Sequence, residues 1–223
     1  MRPLIIAIDG PSGSGKSTVG EMLAKRLGYL YFDTGAMYRA VTLAALRGGL
    51  DLTNEAQVSD LAERLQIDVH SPTVQDGRQN TVLADGKDVT AELRSSIVDA
   101  NVSRVSSYPR VRAALVRQQR AIGERGRVVM IGRDIGTVVL PAAHLKIFLT
   151  ASEEERARRR YQENLKRGDT LAYEDVLASM KGRDDQDSAR TISPLRPADD
   201  AVCIDTDHMA AEQVVDALEK LWA

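Results

Sequence analysis

The chain has 223 residues, 43% hydrophobic and 28% charged, with a formal net charge of -2; that suits one α/β domain with a full core and room for a small insert. This charge balance gives no general pull toward DNA or RNA, and with only 4% aromatics a stacking platform for single strands is not expected. A single cysteine rules out an intramolecular disulfide framework, and no stretch approaches the length of a membrane span.

Taken in chain order, Leu4 to Ile8 is a short aliphatic run that predicts a buried parallel strand. It is too short for the apolar core of a secretory signal, so a cytoplasmic protein is expected. A glycine-rich loop follows over Gly10 to Gly15. Val19, Met22, Leu23 and Leu27 then recur at helical spacing, which predicts a helix over Lys16 to Leu27 stopped by Gly28. Tyr29 to Phe32 is short and β-prone, and Ala36 to Leu46 predicts a helix ending at Gly48 and Gly49.

From about residue 61 to 101 the pattern changes. Leu65 to Val69 and Thr81 to Leu83 read as short strands among turn signals (Ser71-Pro72, Asp76-Gly77, Asp85-Gly86), which predicts a small antiparallel insert. Helical patterns resume near Leu93 and run to Arg120 with a break at Pro109. Val128 to Ile131 and Leu145 to Leu149 predict two further strands. Ser152 caps a helix whose first turn carries Glu153, Glu154 and Glu155, favourable at the positive end of a helix dipole. Val202 to Ile204 predicts a last strand and Ala210 to Trp222 a closing helix. Five strands alternating with helices predict an α/β fold, with a parallel five-stranded sheet flanked by helices. Cys203 is read as a small buried residue of the last strand rather than a reactive thiol.

Gly10, Pro11, Ser12, Gly13, Ser14, Gly15, Lys16 and Ser17 match the phosphate-loop pattern G-x-x-x-x-G-K-[ST] at every position. In such a loop, backbone N–H groups hold phosphate oxygens and the glycines allow close approach. Lys16 brings a positive charge to the β- and γ-phosphates, Ser17 can ligate Mg²⁺, and the following helix adds its dipole. The strand before the loop and the amphipathic helix after it are the context that the pattern requires. Nucleotide binding follows, whereas the reaction does not, because motors, switches and kinases share this loop.

The remaining chain favours a kinase. The guanine-specificity pattern Asn-Lys-x-Asp is absent, and arginines cluster in four places: around Arg39, at Arg110 and Arg112, at Gly132-Arg133-Asp134, and over Arg183 to Arg190. Phosphoryl transfer between two phosphorylated molecules gathers negative charge, and arginine's planar fork suits it. Taken singly, most of these clusters also fit a solvated surface. The charged pair Arg133-Asp134 at the end of a core strand does not, since that is where open α/β sheets bind ligands. Arg156 to Arg160 lie on one predicted helix and have two readings. One is an exposed face balanced by Glu153 to Glu155; the other is a lid bringing arginines over the phosphates. His70, His144 and His208 show no shared spacing and are read as structural.

Together these stretches carry a resemblance. Ile8 to Thr18, Asp33-Thr34-Gly35-Ala36-Met37-Tyr38-Arg39, Pro109 to Arg112, Gly132 to Val139 and Arg183-Asp184-Asp185-Gln186-Asp187 resemble the bacterial cytidylate kinases, a family of nucleoside monophosphate kinases, over essentially the whole chain. The resemblance implies one kinase domain over residues 1–223. Within it, about 61–101 would be an enlarged monophosphate-binding insert and about 153–170 a short helical lid. It implies ATP with Mg²⁺ as donor and CMP or dCMP as acceptor, on a monomer with no nucleic acid or membrane partner. It makes Ser103, Arg112 and Asp134 the cytosine contacts, a carboxylate accepting from the exocyclic amine that uracil lacks. It gives the monophosphate to Arg39, Arg133 and Arg190, and the sugar to Arg183 and Asp187. Thr34 stands where relatives often have serine, and Ser17 where some have glycine. Lys16, Arg133 and Arg190 would act electrostatically. Thr18 and Arg160 join the phosphate loop in holding ATP, although the family pattern does not single out one lid arginine. A kinase of another acceptor (UMP or a metabolite) and a nucleotide-binding switch are the alternatives, and an RNA-binding accessory role is disfavoured by charge and composition.

Overall fold

A computed structural model describes residues 2–168, 170–190 and 192–222; Asp169, inside the expected lid segment, and Thr191 lie outside the described residues, as do the two terminal residues. Its elements run β1 (Ile5–Asp9), α1 (Lys16–Leu27), β2 (Leu30–Asp33), α2 (Gly35–Arg47), α3 (Glu55–Arg64), β3 (Ile67–His70), β4 (Thr81–Ala84), β5 (Lys87–Asp88), α4 (Ser96–Ser107), α5 (Pro109–Gly123), β6 (Val128–Gly132), β7 (Leu145–Thr150), α6 (Glu153–Arg167), α7 (Tyr173–Ser188), β8 (Val202–Asp205) and α8 (Ala211–Glu219). A 3₁₀ turn covers Thr90–Glu92 and a π-helical turn Ile135–Val139. The parallel sheet has the strand order β2-β6-β1-β7-β8, and a second, antiparallel sheet has the order β3-β4-β5. The chain divides into two compact units: residues 1–29 with 129–223, and Leu30–Val128.

In the first unit β1 pairs in parallel with β7, and β7 with β8. Ile6, Ala7 and Ile8 are fully buried, as a strand covered on both faces requires. The loop after β1 is pressed against its surroundings. Gly10 has φ 148°, and a Cβ there would lie 2.0 Å from the Leu149 carbonyl oxygen of β7. Gly13 has φ 77°, and its Cβ would lie 2.9 Å from the Arg156 carbonyl oxygen of α6. Both positions need glycine for backbone angle and for space. Helix α1 then ends at Gly28 in the left-handed region, where its N–H closes back on the Ala24 and Lys25 carbonyls.

The second unit packs α2 against α3 and α4, α3 against α5, and α4 against α5, with β3 and β4 beside them. Pro109 does not merely interrupt a helix: it occupies the first turn of α5, where its missing N–H costs nothing. Asp85 (φ 47°) and Gly86 (φ 76°) form the two-residue turn between β4 and β5, the conformation that an Asp-Gly hairpin requires.

The burial of Cys203 corrects the sequence expectation. The residue is exposed, because β8 is the edge strand of the sheet and alternates half-buried with exposed positions. Among the described residues no helix is long and apolar enough to cross a membrane.

Candidate active site

In the first unit the phosphate loop turns between β1 and α1, and Lys16 opens the helix. Its Nζ donates to the Pro11 carbonyl oxygen (2.6 Å) and approaches Ser14 Oγ (3.4 Å), so the buried ammonium sits over the loop. Ser17 and Thr18 are exposed in the first turn of α1, which contains no acidic side chain to oppose the helix dipole.

Three arginines gather near Asp187, which lies at the end of α7 and is almost fully buried. Arg133, just beyond β6, donates from Nε to Asp187 Oδ2 (2.6 Å), and Arg190 pairs with Oδ1 (2.5 Å). Burial works to raise the pKa of Asp187, but the charges of Arg133, Arg190 and Arg183 carry it below the ordinary carboxylate range. Arg183 is pushed down to about 10, first by burial and then by the like charge of Arg133, with Arg160 and Arg190 adding to it and Asp187 opposing. A guanidinium depressed this way marks a concentration of positive charge that a polyanion would relieve.

Helix α6 joins this cluster to the loop, and each sequence reading of its arginines captures part of it. Arg158 and Arg159 pair with Glu155, as a balanced surface helix would. Arg156 is buried instead: it donates to the carbonyl oxygens of Ala151 (3.0 Å) and Ser12 (3.2 Å) and pairs with Asp184 of α7. Arg159 reaches the Gly13 carbonyl (3.4 Å), and Arg160 reaches Ser12 Oγ (3.3 Å) while pairing with Glu163.

Beside α1 lies a cleft of about 380 Å³, lined by Gly15, Thr18, Arg158, Arg159, Thr206 and His208 among others. The Thr206 hydroxyl is within reach of the Ser14 carbonyl (3.2 Å) and accepts from Arg159 (3.0 Å), which ties the end of β8 to the phosphate loop. Sequence reasoning had Arg159 among the lid arginines without singling it out, did not mark Thr206, and took His208 as structural. The only available signal was their position after the carboxyl ends of sheet strands.

Asp134 is buried just after Arg133, at the start of the π-helical turn. The turn's first two amides are held from β1: Ile135 N–H donates to Asp9 Oδ1 (2.8 Å) and Gly136 N–H to Asp9 Oδ2 (2.7 Å).

In the second unit, Thr34 is buried at the cap of α2, where the Asp33 carboxylate accepts from the Gly35 N–H (2.9 Å). Arg39 of α2 donates to the Leu93 carbonyl (3.1 Å) and pairs with Asp99 of α4. Arg112 of α5 is buried, lies 5.5 Å over the Tyr38 ring and donates to the Ser106 carbonyl (3.2 Å). Ser103 is exposed on α4. Arg110, from the same cluster as Arg112, is an exposed surface residue bound to Asp60 and Glu63.

Among the described residues no group of three or more His, Cys, Asp and Glu side chains could hold a metal ion.

The comparisons with known proteins point the same way. The family described as Cytidylate kinase matches residues 6–222. The chain is 53% identical to the cytidylate kinase of Chloroflexus aggregans over 219 residues, covering 98% of this chain and 94% of that one. It is 46% identical to the cytidylate kinase of Bacillus subtilis, covering 97% and 95%. Among solved structures, an uncharacterized protein from Eubacterium ventriosum superposes with a TM-score of 0.50 at 13% identity, covering 98% of this chain and 97% of that one, a likeness of fold alone. On sequence and on the arrangement of its phosphate loop and arginines, this chain belongs to the cytidylate kinase family.

Proposed function

We propose that the chain transfers the γ-phosphoryl group of ATP to CMP, and to dCMP, by direct in-line displacement. A phosphate oxygen of the acceptor bonds to the γ-phosphorus as the bond to the bridging β-phosphate oxygen breaks, releasing ADP and CDP or dCDP. The observation that carries this reading is the arginine cluster around Asp187 in the same unit as the phosphate loop. Catalysis is then positioning and electrostatics: Lys16, Arg133 and Arg190 stabilise charge on the transferred group. No strong base is needed, since a phosphate monoester's second pKa is about 6.

The phosphate loop from Gly10 to Ser17, with Thr18 and Arg160, takes the donor phosphates. Helix α6 acts as the lid, and the cleft beside α1 accepts the donor's base. Magnesium fits the donor set: the Ser17 hydroxyl is exposed next to Lys16, and a small ion that keeps several waters needs little more than this hydroxyl and the ATP phosphates. Held by Ser17, it would neutralise the negative charge that develops during transfer. The family resemblance gives Asp134, Arg112 and Ser103 to the cytosine, Thr34, Arg39, Arg133 and Arg190 to the acceptor phosphate, and Arg183 with Asp187 to the sugar. The working form is a monomer.

ADP release from ATP and Mg²⁺, measured with CMP, dCMP, UMP, AMP, GMP or no acceptor, tests this. Turnover is expected with the cytidine nucleotides and much less with UMP, which lacks the exocyclic amine for Asp134. Equal rates with UMP would remove the role given to Asp134. ADP release without any acceptor dependence would overturn the kinase reading.

A further inference from the structure

Asp9 is a buried carboxylate to which neither the phosphate loop nor the arginine cluster assigns a task. It ends β1, one residue before the loop begins, and is 4% exposed. Both of its oxygens are spent on backbone: Oδ1 accepts from the Ile135 N–H and Oδ2 from the Gly136 N–H. Those are the two residues directly after Arg133 and Asp134. Gly136 is also crowded from below. A Cβ there would lie 3.2 Å from Lys146 Cδ and 3.4 Å from Asp9 Oδ2, so the turn fits between the Asp9 carboxylate and the Lys146 stem.

We infer that Asp9 is a positioning residue for phosphoryl transfer: its carboxylate clamps the turn at residues 135–136 to the root of the phosphate loop, fixing Arg133 and Asp134 relative to Lys16. The carboxylate touches no reacting atom and acts through the turn. Two consecutive N–H groups satisfied by one rigid anion set both distance and orientation, which a single hydrogen bond cannot do. The inference rests on the kinase reading above, since it assigns Arg133 and Asp134 their work.

The clamp is also proton-sensitive. Burial pushes Asp9 up to about 6, Asp134 adds to the rise, and the Ile135 and Gly136 amides and the Lys16 charge oppose it. The other charged group packed here, Lys146, directs its ammonium away to Asp200 (2.9 Å). Protonation converts one acceptor oxygen into a donor facing an N–H, so the clamp loses one of its two bonds. Positioning therefore weakens as pH falls through about 6. Stability moves the other way. A folded-state value raised above the usual 3.8 means that the fold holds the proton more tightly than the unfolded chain, so Asp9's contribution falls as pH rises between about 4 and 6. A residue that served only the fold would move both properties together.

The test uses the whole chain. In the wild-type protein, the amide resonances of Ile135 and Gly136 are followed by NMR from pH 4.5 to 8. Both are expected to titrate with a common midpoint near 6. Amides that do not titrate would overturn the clamp, whatever the acceptor profile shows. Asp9→Asn is expected to lower kcat/KM for CMP by ~10–100-fold, the size of effect that a misplacement of about an ångström produces. Its thermal midpoint at pH 7.5 should stay near the wild-type value. In the wild type, the acid limb of kcat/KM contains both the substrate phosphate and Asp9; in Asp9→Asn only the substrate's proton remains, so the limb becomes shallower. Asp9→Glu keeps the charge but moves it outward, and should keep the steeper limb at reduced kcat. Wild-type kcat/KM and an unaltered limb in Asp9→Asn would overturn the inference. If Asp9→Asn does not fold, the amide titration and the Asp9→Glu profile decide. Failure of the kinase reading shows separately, as wild-type ADP release that ignores CMP.

Discussion

Two sets of arginines, one in each unit, are held in opposite ways. In Leu30–Val128, arginines are matched to local acids on the surface: Arg47 with Glu92, Arg78 with Asp76 and Asp88, Arg110 with Asp60 and Glu63, Arg125 with Asp68. In the other unit, Arg133, Arg183 and Arg190 crowd one buried carboxylate, with Arg160 adding its charge. Matched exposed pairs contribute little and are screened by salt. Crowded, partly desolvated cations cost the fold stability, and they persist where a polyanion relieves them. The arginine count of a segment therefore says little about catalysis; the ratio of guanidinium groups to nearby carboxylates says more.

The largest expected effect concerns the buried pair that braces the crowded region. Arg156 and Asp184 join α6 to α7, and Arg156 continues to the Ser12 carbonyl. Asp184→Ala strands a buried guanidinium, which should cost about 3 kcal/mol. For a chain of this size that is a fall of roughly 10 °C in the thermal midpoint. The double variant Arg156→Met, Asp184→Leu should recover most of it, because an apolar pair has no charge left to desolvate. If Asp184→Ala melts with the wild type, the braced-lid picture fails.

The next effect separates the units by kinetic signature. On the proposed function, Arg133→Ala removes a charge directed at the transferred group and should lower kcat on the order of 10²–10³-fold, as should Lys16→Ala. Arg39 is held by Asp99 and the Leu93 carbonyl, and on the proposed function its alanine variant loses a grip on the acceptor. It should raise KM for CMP by ~10–100-fold, the worth of one charge-assisted hydrogen bond, and leave KM for ATP unchanged. Steady-state kinetics at saturating ATP distinguishes the two. A kcat defect in both, with KM for CMP unmoved, would erase the division between a reacting and a recognising unit.

How far the sequence revealed this depends on what each feature is made of. The phosphate loop was fully legible, because backbone recognition of phosphate requires set residues at set spacing. Helix α1 was read to the residue, since an apolar face and Gly28 mark it. Helix α7 was not read as a helix. Its buried residues are Val176, Met180 and Asp187, so the face carrying that carboxylate breaks the apolar period on which such a reading relies. Helix α3 also escaped notice, although Asn54 caps it by accepting from the Gln57 N–H. Asp9 was invisible for another reason: its partners are backbone amides 126 and 127 positions away, which no side-chain pattern encodes. Cys203 was misread because strand burial depends on whether a strand lies at the edge, and composition does not give strand order.

The smallest expected effect tests the matched surface directly. Arg110 stands two residues before the buried Arg112, and in sequence both belong to one cluster. In the structure they diverge. Arg110 bonds to Glu63 and Asp60 in the open, while Arg112 lies over Tyr38. A helix turns about 100° per residue, so positions i and i+2 point away from each other and cannot share a task. Arg110→Ala should therefore change stability by less than about 1 kcal/mol, shrinking further at high salt, and leave kcat and both KM values as they were. Arg112→Ala should raise KM for CMP and relax discrimination against UMP. A substantial kinetic defect in Arg110→Ala would show that the matched arginines also serve the substrates, and would break the contrast between the two units at its simplest point.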